Sequence, residues 1–524
     1  MTTTRLIIRG VLAAGLAVVA LVWLVRGGHA DPAAWYRVAR EWPWLVGIGG
    51  VCAVLLLLAM RWRALLAKVA WRVRGSSRGS AGFAPFADLP RVAKLRQVWV
   101  DGDGAPLVTI VTPSFNQGRF IRATIESVLS QDYPNIEYLI MDGGSTDETA
   151  AVVKEYAARV TFVSEKDRGQ SHAINKGFER AKGPIVAWLN SDDLLLPGAI
   201  AKAVRVFREK PATGAVYGEG YLIDGAGKIT GRFPCTEPLN LWRLVHLSDY
   251  ILQQTVFFRR DVVRELGYLR EDLHYTMDWD ILMKIGARWP LEYVPEYMGC
   301  LREYPEAKSS AGGARRVREI AALLRQHTGM RLPPGAIVYG LDTYRNIWCE
   351  RIAARTPGFL SPVSRLLQAA VTVAAGQVIR HTIVHAQGLY VDGWAAPELH
   401  YMLPQGRGQV LIEGTVPERQ RRLRGQTLTI ECNGRNLGRF PLPRGKFHVR
   451  AEVPGECQGR TLTLKLRARC WTVPPHLPYW GDRRRLAYLI TGIRWSEPTH
   501  AATAPPSEVP AAGERRDERV EIAG

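Results

Sequence analysis

The sequence predicts an α/β protein built on a parallel sheet. Two observations predict this class. Apolar runs of strand length alternate with helical patterns between residues 107 and 189, and a short polar or glycine-rich segment follows most of these runs. Alternation of strands and helices is typical of βαβ units with right-handed crossovers. Such sheets bind their ligands beyond the carboxyl ends of the strands.

The elements of this region follow in order from its apolar runs. Four strands are predicted, at LVTIVT (107–112), IEYLIMD (136–142), TFVSE (161–165) and IVAWL (185–189). Three helices are predicted between them, at RFIRATIESVLSQ (119–131), DETAAVVKEYAARV (147–160) and SHAINKGFERAKG (171–183). Ser145 or Thr146 is the expected cap of the second helix.

Two apolar runs precede the α/β region. Residues 10–25 and 42–60 contain no charged side chain, and each comes close to the ~20 residues that a helix needs to cross a bilayer. Basic side chains follow the second run, so the positive-inside rule predicts that everything beyond it lies in the cytoplasm. We therefore expect a transmembrane hairpin with a basic flank over residues 1–74, in the inner (cytoplasmic) membrane. GHA at 28–30 also resembles a signal-peptidase site, which leaves cleavage of residues 1–30 open.

The charge and cysteine content of the chain limit the kinds of partner and the compartment that we expect. The net charge of +20 favours a polyanion or an anionic membrane as neighbour. No zinc-finger, basic-zipper or RNA-binding signature accompanies the basic clusters, so we expect no nucleic acid partner. The seven cysteines form no CxxC pair and their count is odd, which favours buried thiols in a reducing compartment over a zinc ribbon or a disulfide framework.

The rest of the chain divides by composition and period. Residues 364–379 are weakly apolar but carry Gln368 and Gln377, which favours packing on the α/β domain or on a membrane surface over spanning it. Beyond residue 388 the pattern alternates with period two, as in an all-β sandwich. The expected divisions are a linker at 75–104, the α/β domain at 105–312, a helical segment at 313–385, a β-sandwich at 386–497 and a disordered tail at 498–524.

Polar segments follow three of the predicted strands: TPSFNQG (112–118), DGGSTDE (142–148) and NSDD (190–193). We expect Asp142, Asp192 and Asp193 to converge on one crevice at the sheet edge. Adjacent carboxylates repel, so a fold keeps them together only beside a cation or strong hydrogen-bond donors; the plain alternative is a turn. No P-loop or dinucleotide fingerprint is present. Aspartate oxygens suit Mg²⁺ or Mn²⁺.

Five segments resemble the family 2 glycosyltransferases of the GT-A (Rossmann-like) fold, in order and in spacing. They are TPSFNQG, DGGSTDE, DRGQSHAINKGF, WLNSDD and MDWD, within residues 106–310. The resemblance implies an inverting transferase that uses a nucleotide-diphosphate sugar and a divalent metal, Mn²⁺ or Mg²⁺. Asp278 matches the catalytic base, and Asp192, with Asp193 beside it, matches the metal-binding carboxylate.

The resemblance also implies the remaining site residues. Those expected at the nucleotide sugar are Pro113, Phe115, Asn116, Asp142, Arg168, Asn190 and Arg302. Those expected on the acceptor side are Gln253, Gln254 and Trp279. Two departures from the family pattern stand out. Asn190 replaces the first aspartate of the metal motif, which lowers the expected metal affinity, and Tyr304 replaces a histidine that often supplies a further ligand.

The expected function is transfer of a sugar to a lipid-linked or cell-envelope glycan acceptor at the cytoplasmic membrane face. QQTVFFRR (253–260) differs from the QxxRW of processive synthases, which disfavours repeated chain extension at one site. Two alternatives remain open. A nucleotidyltransferase on a similar sheet would need a basic phosphate-activating loop, and TPSFNQG has no Lys or Arg. An inactive glycan-assembly scaffold would be consistent with Asn190 and Tyr304.

Overall fold

A computed structural model describes Phe86 and residues 104–234, 236–308, 312–356, 361–390, 393–416, 425–469, 471–472 and 485–497. The predicted transmembrane hairpin, most of the predicted linker and the predicted tail lie outside the described residues. Among the described residues, no helix combines the length and the hydropathy needed to cross a membrane.

The α/β region contains nine strands and seven helices among its described residues. The strands are β1 (Val108–Ser114), β2 (Ile136–Asp142), β3 (Thr161–Ser164), β4 (Ile185–Trp188), β5 (Leu194–Leu195), β6 (Ala215–Ile223), β7 (Ile229–Arg232), β8 (Phe257–Arg259) and β9 (Leu291–Arg302). The helices are α1 (Gly118–Leu129), α2 (Thr149–Lys154), α3 (Gln170–Arg180), α4 (Ala199–Glu209), α5 (Leu241–His246), α6 (Arg260–Glu265) and α7 (Met277–Arg288). A 3₁₀ turn, Gln253–Thr255, precedes β8.

These strands form one mixed sheet in the order β3-β2-β1-β4-β8-β6-β9-β5, with β7 paired to β6. The first four strands are parallel, as the sequence predicts, and their register sets Ser114 beside Asp142 and Val111 beside Trp188. Beyond β4 the sheet is mixed, because β8 runs antiparallel to both β4 and β6. The α/β class is therefore confirmed, and the expectation of a parallel sheet is correct only for the first four strands.

The sheet has a buried core on each face, because successive side chains of a strand point to opposite sides. Val108 and Ile110 of β1 belong to the core that α1 and α4 cover, whereas Val111 belongs to the core that α3, α5 and α7 cover. In the second core the Trp188 ring stacks on Phe258 at 5.3 Å between centroids.

Helix α2 is shorter than predicted, with six residues. Neither Ser145 nor Thr146 caps it. Asp147 holds its start instead, because Asp147 Oδ1 accepts from the amide and from the hydroxyl of Thr149, at 3.0 and 2.5 Å. Ser145 is engaged elsewhere, in a bond to the Asp142 carboxylate. The N-cap position itself is Glu148, so Asp147 bonds the first helical residue from the position before the cap.

Three helices and three antiparallel sheets, two of four strands and one of two, follow the α/β region in the described residues. The helices are α8 (Gly313–Thr328), α9 (Pro334–Arg355) and α10 (Ser361–His385). The strands are β10 (Trp394–Ala395), β11 (Glu398–Leu403), β12 (Gln409–Val416), β13 (Gln426–Cys432), β14 (Arg435–Leu442), β15 (Gly445–Glu452), β16 (Leu462–Arg467), β17 (Trp471–Thr472), β18 (Arg485–Leu486) and β19 (Tyr488–Ser496). The four-stranded sheets β10-β19-β12-β15 and β11-β16-β13-β14 share one apolar core.

The two carboxyl-terminal sheets are attached to the far end of α7. The Ala287 carbonyl accepts from Gln405 N at 2.8 Å and from Thr461 Oγ1 at 3.0 Å. Asn240, which caps α5, exchanges two amide hydrogen bonds of 3.1 Å with Gln387.

The alternating apolar pattern beyond residue 388 predicted strands, and the antiparallel sheets confirm that prediction. The domain divisions and the accessory role of this region stay predictions.

Glycine is required at position 220, where β6 lies against β9. A Cβ there would clash with the Leu252 side chain and with the Gly299 carbonyl oxygen, because both would be closer than van der Waals contact allows. We therefore expect Gly220→Ala to lower the free energy of unfolding by about 1–3 kcal/mol, measured by urea denaturation. Gly231→Ala on β7 of the same sheet is the control, because no atom lies within 4 Å of its Cβ position. Equal effects of the two substitutions would contradict this packing.

Candidate active site

The loops that follow β1 and β2 are joined side by side at the carboxyl end of the sheet. We name residues 115–117 the first loop and residues 143–148 the second loop. Asn116 adopts a left-handed conformation with φ of 53°. Its amide donates to Ser145 Oγ at 2.8 Å, and its side-chain oxygen accepts from Thr146 N at 2.9 Å. Two further bonds complete the junction, from Gln117 N to Thr149 Oγ1 at 3.1 Å and from Gly118 N to Asp147 Oδ2 at 2.9 Å.

Asp142 ends β2 and is only 1% exposed. Its carboxylate accepts from Gly144 N, Ser145 N, Ser145 Oγ and Ser164 Oγ at 3.1, 2.9, 2.5 and 2.6 Å. These bonds compensate the loss of water around the charge and tie the second loop to β3. The carboxylate thus shapes the second loop, while the predicted contact with a base or ribose stays a prediction.

Phe115 is the most exposed large apolar side chain of the described residues, at 60%. Its ring lies over Gly143: a Cβ at Gly143 would stand 3.3 Å from Phe115 Cδ2 and 2.7 Å from Asp167 Oδ2. Because Gly143 has no side chain, the Phe115 ring and the Asp167 carboxylate can both lie close to its backbone. Pro113, by contrast, is buried inside β1.

Arg168 forms an ion pair with the carboxylate of Glu271. Its Nη2 and Nε lie 2.6 and 3.0 Å from Glu271 Oε2, and 68% of its side chain is exposed. The pair connects the loop before α3 to the segment before α7. A phosphate contact of Arg168 stays a prediction, and it requires the guanidinium to exchange Glu271 for the ligand.

The acidic loop, residues 190–193, gives its two carboxylates different environments. Asp193 is 1% exposed, and both of its oxygens accept from protein donors. Arg302 N donates to Oδ1 at 2.9 Å, while Gln254 Nε2 and Asn190 Nδ2 donate to Oδ2 at 2.6 and 2.9 Å. Burial raises the pKa of Asp193, and the neighbouring Asp192 raises it further. Asp193 therefore supports the loop from inside, which leaves no oxygen of this predicted metal ligand free.

Asp192 is half-buried and keeps one oxygen free of hydrogen bonds from other described residues. Burial raises the pKa of Asp192, and the hydrogen bond from Tyr304 opposes that shift. The Tyr304 hydroxyl donates to Asp192 Oδ2 at 2.7 Å, and the Gln117 side chain bonds to the same hydroxyl. The Tyr304 ring packs on Phe120 at 4.9 Å between centroids. The tyrosine that replaces the family histidine thus holds the first loop to the acidic loop.

Asn190 joins three elements through its amide. Its Nδ2 donates to Gln253 Oε1 at 3.3 Å as well as to Asp193, and its Oδ1 accepts from Gln170 Nε2 at 2.7 Å. An aspartate at this position has no donor and would face the Asp193 carboxylate directly. The amide therefore replaces a repulsion with a hydrogen bond.

The residues expected on the acceptor side lie inside the protein, which corrects that interpretation. Gln253, Gln254 and Trp279 are 7%, 6% and 2% exposed. Gln253 Nε2 donates to the Trp188 carbonyl at 2.9 Å, and Trp279 Nε1 donates to the Leu244 carbonyl at 2.7 Å. For the two glutamines the reason is that β8 lies between β4 and β6, so the turn before it is inside the sheet; Trp279 is buried because it faces the core from α7.

Arg302, expected at the nucleotide sugar, is 5% exposed. Its Nε donates to the Asp192 carbonyl at 2.7 Å and its Nη1 to the Asp224 carbonyl at 3.0 Å. The guanidinium also stands 4.9 Å from the centre of the Phe120 ring. It therefore fixes the backbone of the acidic loop, and its phosphate contact stays a prediction.

Asp278 stands in the first turn of α7 and is half-buried. Its Oδ1 accepts from Trp279 N at 2.8 Å. Burial raises the pKa of Asp278, against the opposing charges of Lys308 and Arg316. A second carboxyl, Asp249, lies close enough to interact: burial and then the charge of Asp278 raise its pKa well above the usual range. A carboxylate with a raised pKa is a stronger base than an ordinary aspartate.

Lys308 lies between Asp278 and the acidic loop. Its Nζ donates to Gln170 Oε1 at 2.6 Å, and the Gln170 side chain in turn donates to Asn190 Oδ1. Burial lowers the pKa of Lys308 to about 8, against the charges of Asp278 and Glu319. Half of the lysine population therefore loses its charge near pH 8.

Hydrogen bonds connect the carboxylates of this region in two series. The first runs through Asp142, Ser145, Asn116, Gln117, Tyr304 and Asp192. The second runs through Asp193, Asn190, Gln170 and Lys308, and the charge of Lys308 is close enough to lower the pKa of Asp278 against the effect of burial. The predicted convergence of Asp142, Asp192 and Asp193 on one crevice and the roles of these residues stay predictions.

Glu319 of α8 holds the start of α7. Its Oε1 accepts from Tyr275 N, Thr276 N and Thr276 Oγ1 at 2.6, 2.9 and 2.9 Å, and its Oε2 accepts from His274 N at 3.1 Å. The free amides at a helix start carry partial positive charge, which a carboxylate stabilises. A side chain from α8 thus fixes the turn that presents Asp278.

The donor set fits a divalent metal only with help from a ligand. Among the described residues, no three or more His, Cys, Asp or Glu side chains form a group that could hold a metal ion. One free carboxylate oxygen, on Asp192, remains in the acidic loop. Mg²⁺ commonly takes one or two protein carboxylates and completes its shell with water and substrate phosphates. The residues present fit that mode.

Four residues of the site escaped the sequence reasoning: Asp167, Gln170, Asp249 and Glu319. Asp167 and Gln170 lie in the quoted segment DRGQS, so their proximity to Arg168 was an available signal. Asp249 and Glu319 lie in no motif. Only the packing of α5 and α8 against α7 brings them to Asp278.

Removal of the Glu319 carboxylate should loosen the start of α7. We expect Glu319→Ala to lower the free energy of unfolding by about 1–3 kcal/mol, because the amides of His274, Tyr275 and Thr276 lose their acceptor. Amide hydrogen exchange at these three positions should accelerate. Glu350→Ala, the same substitution on the exposed face of α9, is the control. Unchanged exchange in Glu319→Ala would contradict the capping role.

Comparison with known proteins supports a family assignment for part of the chain. Residues 109–266 match the sequence model of Glycosyl transferase family 2. An uncharacterized glycosyltransferase of Rickettsia prowazekii is 28% identical over 191 residues, which are 34% of this chain and 58% of that protein. Chondroitin synthase of Escherichia coli is 35% identical over 192 residues, 36% of this chain and 28% of that protein. The chain thus spans less than two thirds of the length of either relative.

A solved structure gives a weaker likeness. The mannosyltransferase PcManGT from Pyrobaculum calidifontis, in complex with GDP-Man and Mn²⁺, is 19% identical, with a TM-score of 0.34 and coverage of 63% of this chain and 98% of that one. That score carries no argument about this chain. The family match and the mixed α/β sheet together give the assignment: this chain carries a glycosyltransferase family 2 domain with a GT-A-like fold.

Proposed function

We propose that this chain is an inverting glycosyltransferase that moves a sugar from a nucleotide-diphosphate sugar to a glycan acceptor. One observation carries the proposal: hydrogen bonds join the acidic loop of a family 2 domain to Lys308, whose charge acts on Asp278 at the start of α7. A carboxylate for the acceptor and a carboxylate for the diphosphate are the two groups that the reaction requires.

Asp278 is the proposed general base. It accepts the proton of the acceptor hydroxyl, whose oxygen attacks the anomeric carbon from the face opposite the diphosphate. A new carbon–oxygen bond forms, the bond from the anomeric carbon to the diphosphate oxygen breaks, and nucleoside diphosphate leaves with the electron pair. The raised pKa of Asp278 supports this role, because a base of higher pKa holds the transferred proton better.

Asp192 is the proposed metal ligand, through the oxygen that Tyr304 leaves free. When bound there, a divalent ion would supply positive charge for the departing diphosphate. Lys308 adds a second cation for that charge, and Asn190 bonds a ribose hydroxyl or phosphate oxygen. We leave Asp193 out of the metal set, because its oxygens are already bonded inside the protein.

Phe115 is the proposed platform for the nucleobase, beside Asp167 and Asn116. Its 60% exposure supports a stacking role, because an apolar ring in water gains by covering its face. The Asp167 carboxylate, close to the same ring across Gly143, is suited to accept a hydrogen bond from a base N–H.

The proposed acceptor is a lipid-linked or cell-envelope glycan at the cytoplasmic face of the inner membrane. The apolar runs at residues 10–25 and 42–60 and the basic residues after them support this location. The similarity to the chondroitin synthase of E. coli supports a polysaccharide-type acceptor.

The activity is tested by following nucleoside diphosphate release. We expect the full-length protein with Mn²⁺ to release nucleoside diphosphate from one member of a panel of nucleotide sugars, faster with membrane lipid extract. Asp278→Asn should lower transfer about 10²–10⁴-fold, because the acceptor hydroxyl loses its base. Asp192→Asn should weaken Mn²⁺ binding, measured by calorimetry with the metal alone. Glu350→Ala should match the wild type.

Other products would identify the alternatives. Inorganic pyrophosphate released from a nucleoside triphosphate and a sugar phosphate would overturn the proposal in favour of a nucleotidyltransferase. If neither the wild type nor Asp192→Asn releases nucleoside diphosphate, and neither binds Mn²⁺, the result would favour the inactive scaffold.

The rate of transfer should depend on pH as a bell-shaped curve. Asp278 acts only when ionised, so the acid limb should lie above the ~3.9 of an ordinary aspartate. Lys308 loses its charge as the pH rises through about 8, so the rate should fall there. Lys308→Arg keeps the charge and should move the alkaline limb upward while the acid limb remains. A profile of kcat/KM against pH measures the positions of the acid limb and of the alkaline limb. An alkaline limb unchanged in Lys308→Arg would remove Lys308 from the mechanism.

A further inference from the structure

Helix α9 carries a stripe of aromatic and basic side chains along one exposed face. The stripe consists of Tyr344, Trp348, Arg351 and Arg355, at positions i, i+4, i+7 and i+11, which share one side of an α-helix. All four are exposed, with Tyr344 at 43% and Trp348 at 54%. The stripe contains no acidic residue. We name it the α9 stripe.

Helix α10 adds to this surface. Arg365 and Val373 of α10 are exposed, and an open groove of about 640 Å³ separates the two helices. The groove is lined by Arg345, Asn346, Cys349, Arg365, Gln368, Ala369, Thr372 and Val373. Among the described residues, no acidic side chain forms an ion pair with Arg351, Arg355 or Arg365. The five residues between the helices are Thr-Pro-Gly-Phe-Leu (356–360) in the sequence, and Arg355 precedes them.

Large apolar side chains are concentrated here. Of the six exposed ones in the described part of the chain, three lie on this pair of helices: Tyr344, Trp348 and Val373. Clustered exposure of this kind marks an interaction surface more often than single exposed residues do. Because all the charges of the stripe are positive, the surface is complementary to an anionic partner.

The chemistry of the stripe fits the surface of an anionic bilayer. Tryptophan and tyrosine prefer the boundary between headgroups and acyl chains, where one part of the ring is apolar and another is wet. Arginine buries its stem along apolar surface and binds phosphate oxygens through its guanidinium. A second copy of this chain fits less well, because a two-fold contact through the stripe would set Arg351 and Arg355 against like charges.

We propose that the pair α9–α10 lies on an anionic membrane, with Tyr344 and Trp348 in the headgroup boundary and Arg351, Arg355 and Arg365 on lipid phosphates. This contact deepens the proposed membrane location, and it concerns residues outside the family match and outside the predicted transmembrane hairpin. It does not depend on sugar transfer, so the two proposals fail separately.

Photocrosslinking of the full-length protein tests the contact. The photoreactive residue p-benzoylphenylalanine replaces Trp348 in one variant and Glu350, exposed on another face of the same helix, in the control. Each protein is reconstituted into phosphatidylcholine vesicles with or without phosphatidylglycerol. We expect lipid adducts, identified by mass, in several-fold higher yield from position 348 than from 350. Phosphatidylglycerol should raise the yield at 348.

A charge-reversal variant makes the test specific. Arg351→Glu with Arg355→Glu should lower the phosphatidylglycerol-dependent yield about fivefold or more for each arginine, as expected for a basic residue near an anionic surface. Equal yields from positions 348 and 350, or adducts to a second protein chain, would overturn the proposal. A yield that phosphatidylglycerol does not change would also overturn it.

Discussion

The buried carboxylate of Asp193 is the constraint on which the site depends. A charge that is 1% exposed is costly unless donors surround it, and here the donors come from three different parts of the chain. Asn190 comes from the loop itself, Gln254 from the turn before β8, and the Arg302 amide from the end of β9. Satisfying one carboxylate therefore fixes three elements at once.

The adjacent Asp192 gains its orientation from this arrangement. Because Asp193 points inward, its neighbour along the chain points to the other side, where Tyr304 meets it. The two adjacent acids thus have different environments: the oxygens of Asp193 are bonded inside the protein, whereas Asp192 keeps one oxygen for the proposed metal. The adjacent acids Asp192 and Asp193 can stand together because their side chains lie in different surroundings. The loop also forms the turn that was the alternative explanation, since Asp193 N donates to the Asn190 carbonyl.

The base side of the site is built from segments beyond the family match. Residues 109–266 carry the sheet edge and the acidic loop, whereas Asp278, Lys308 and Glu319 follow later. Helix α8 supplies the carboxylate that holds the start of α7, and Lys308 extends from the segment after β9 to Gln170. The helices after the α/β sheet therefore complete the site.

Much of this arrangement was predictable from the sequence, and the reasons for the rest are physical. The parallel strands β1 to β4 follow from apolar runs between amphipathic helices, and polar segments at strand ends indicate Asp142, Asp192 and Asp193, whereas Asp278 was indicated only by the resemblance to the family. The antiparallel direction of β8 was not predictable, because three residues leave no pattern that shows the direction of a strand in its sheet. The inward position of Gln253 and Trp279 and the contribution of Glu319 depend on tertiary packing, which leaves no local pattern.

The attachment of the carboxyl-terminal sheets at Ala287 has a consequence for how the chain can be divided. The helix that begins with Asp278 ends in a carbonyl that accepts from both Gln405 and Thr461, so residues of the carboxyl-terminal region support that helix. A chain cut before Gln387 would lose both of these donors and also the amide partner of Asn240 at the start of α5. A fragment that ends with the α/β region therefore lacks contacts that the whole protein uses at two of its helix ends.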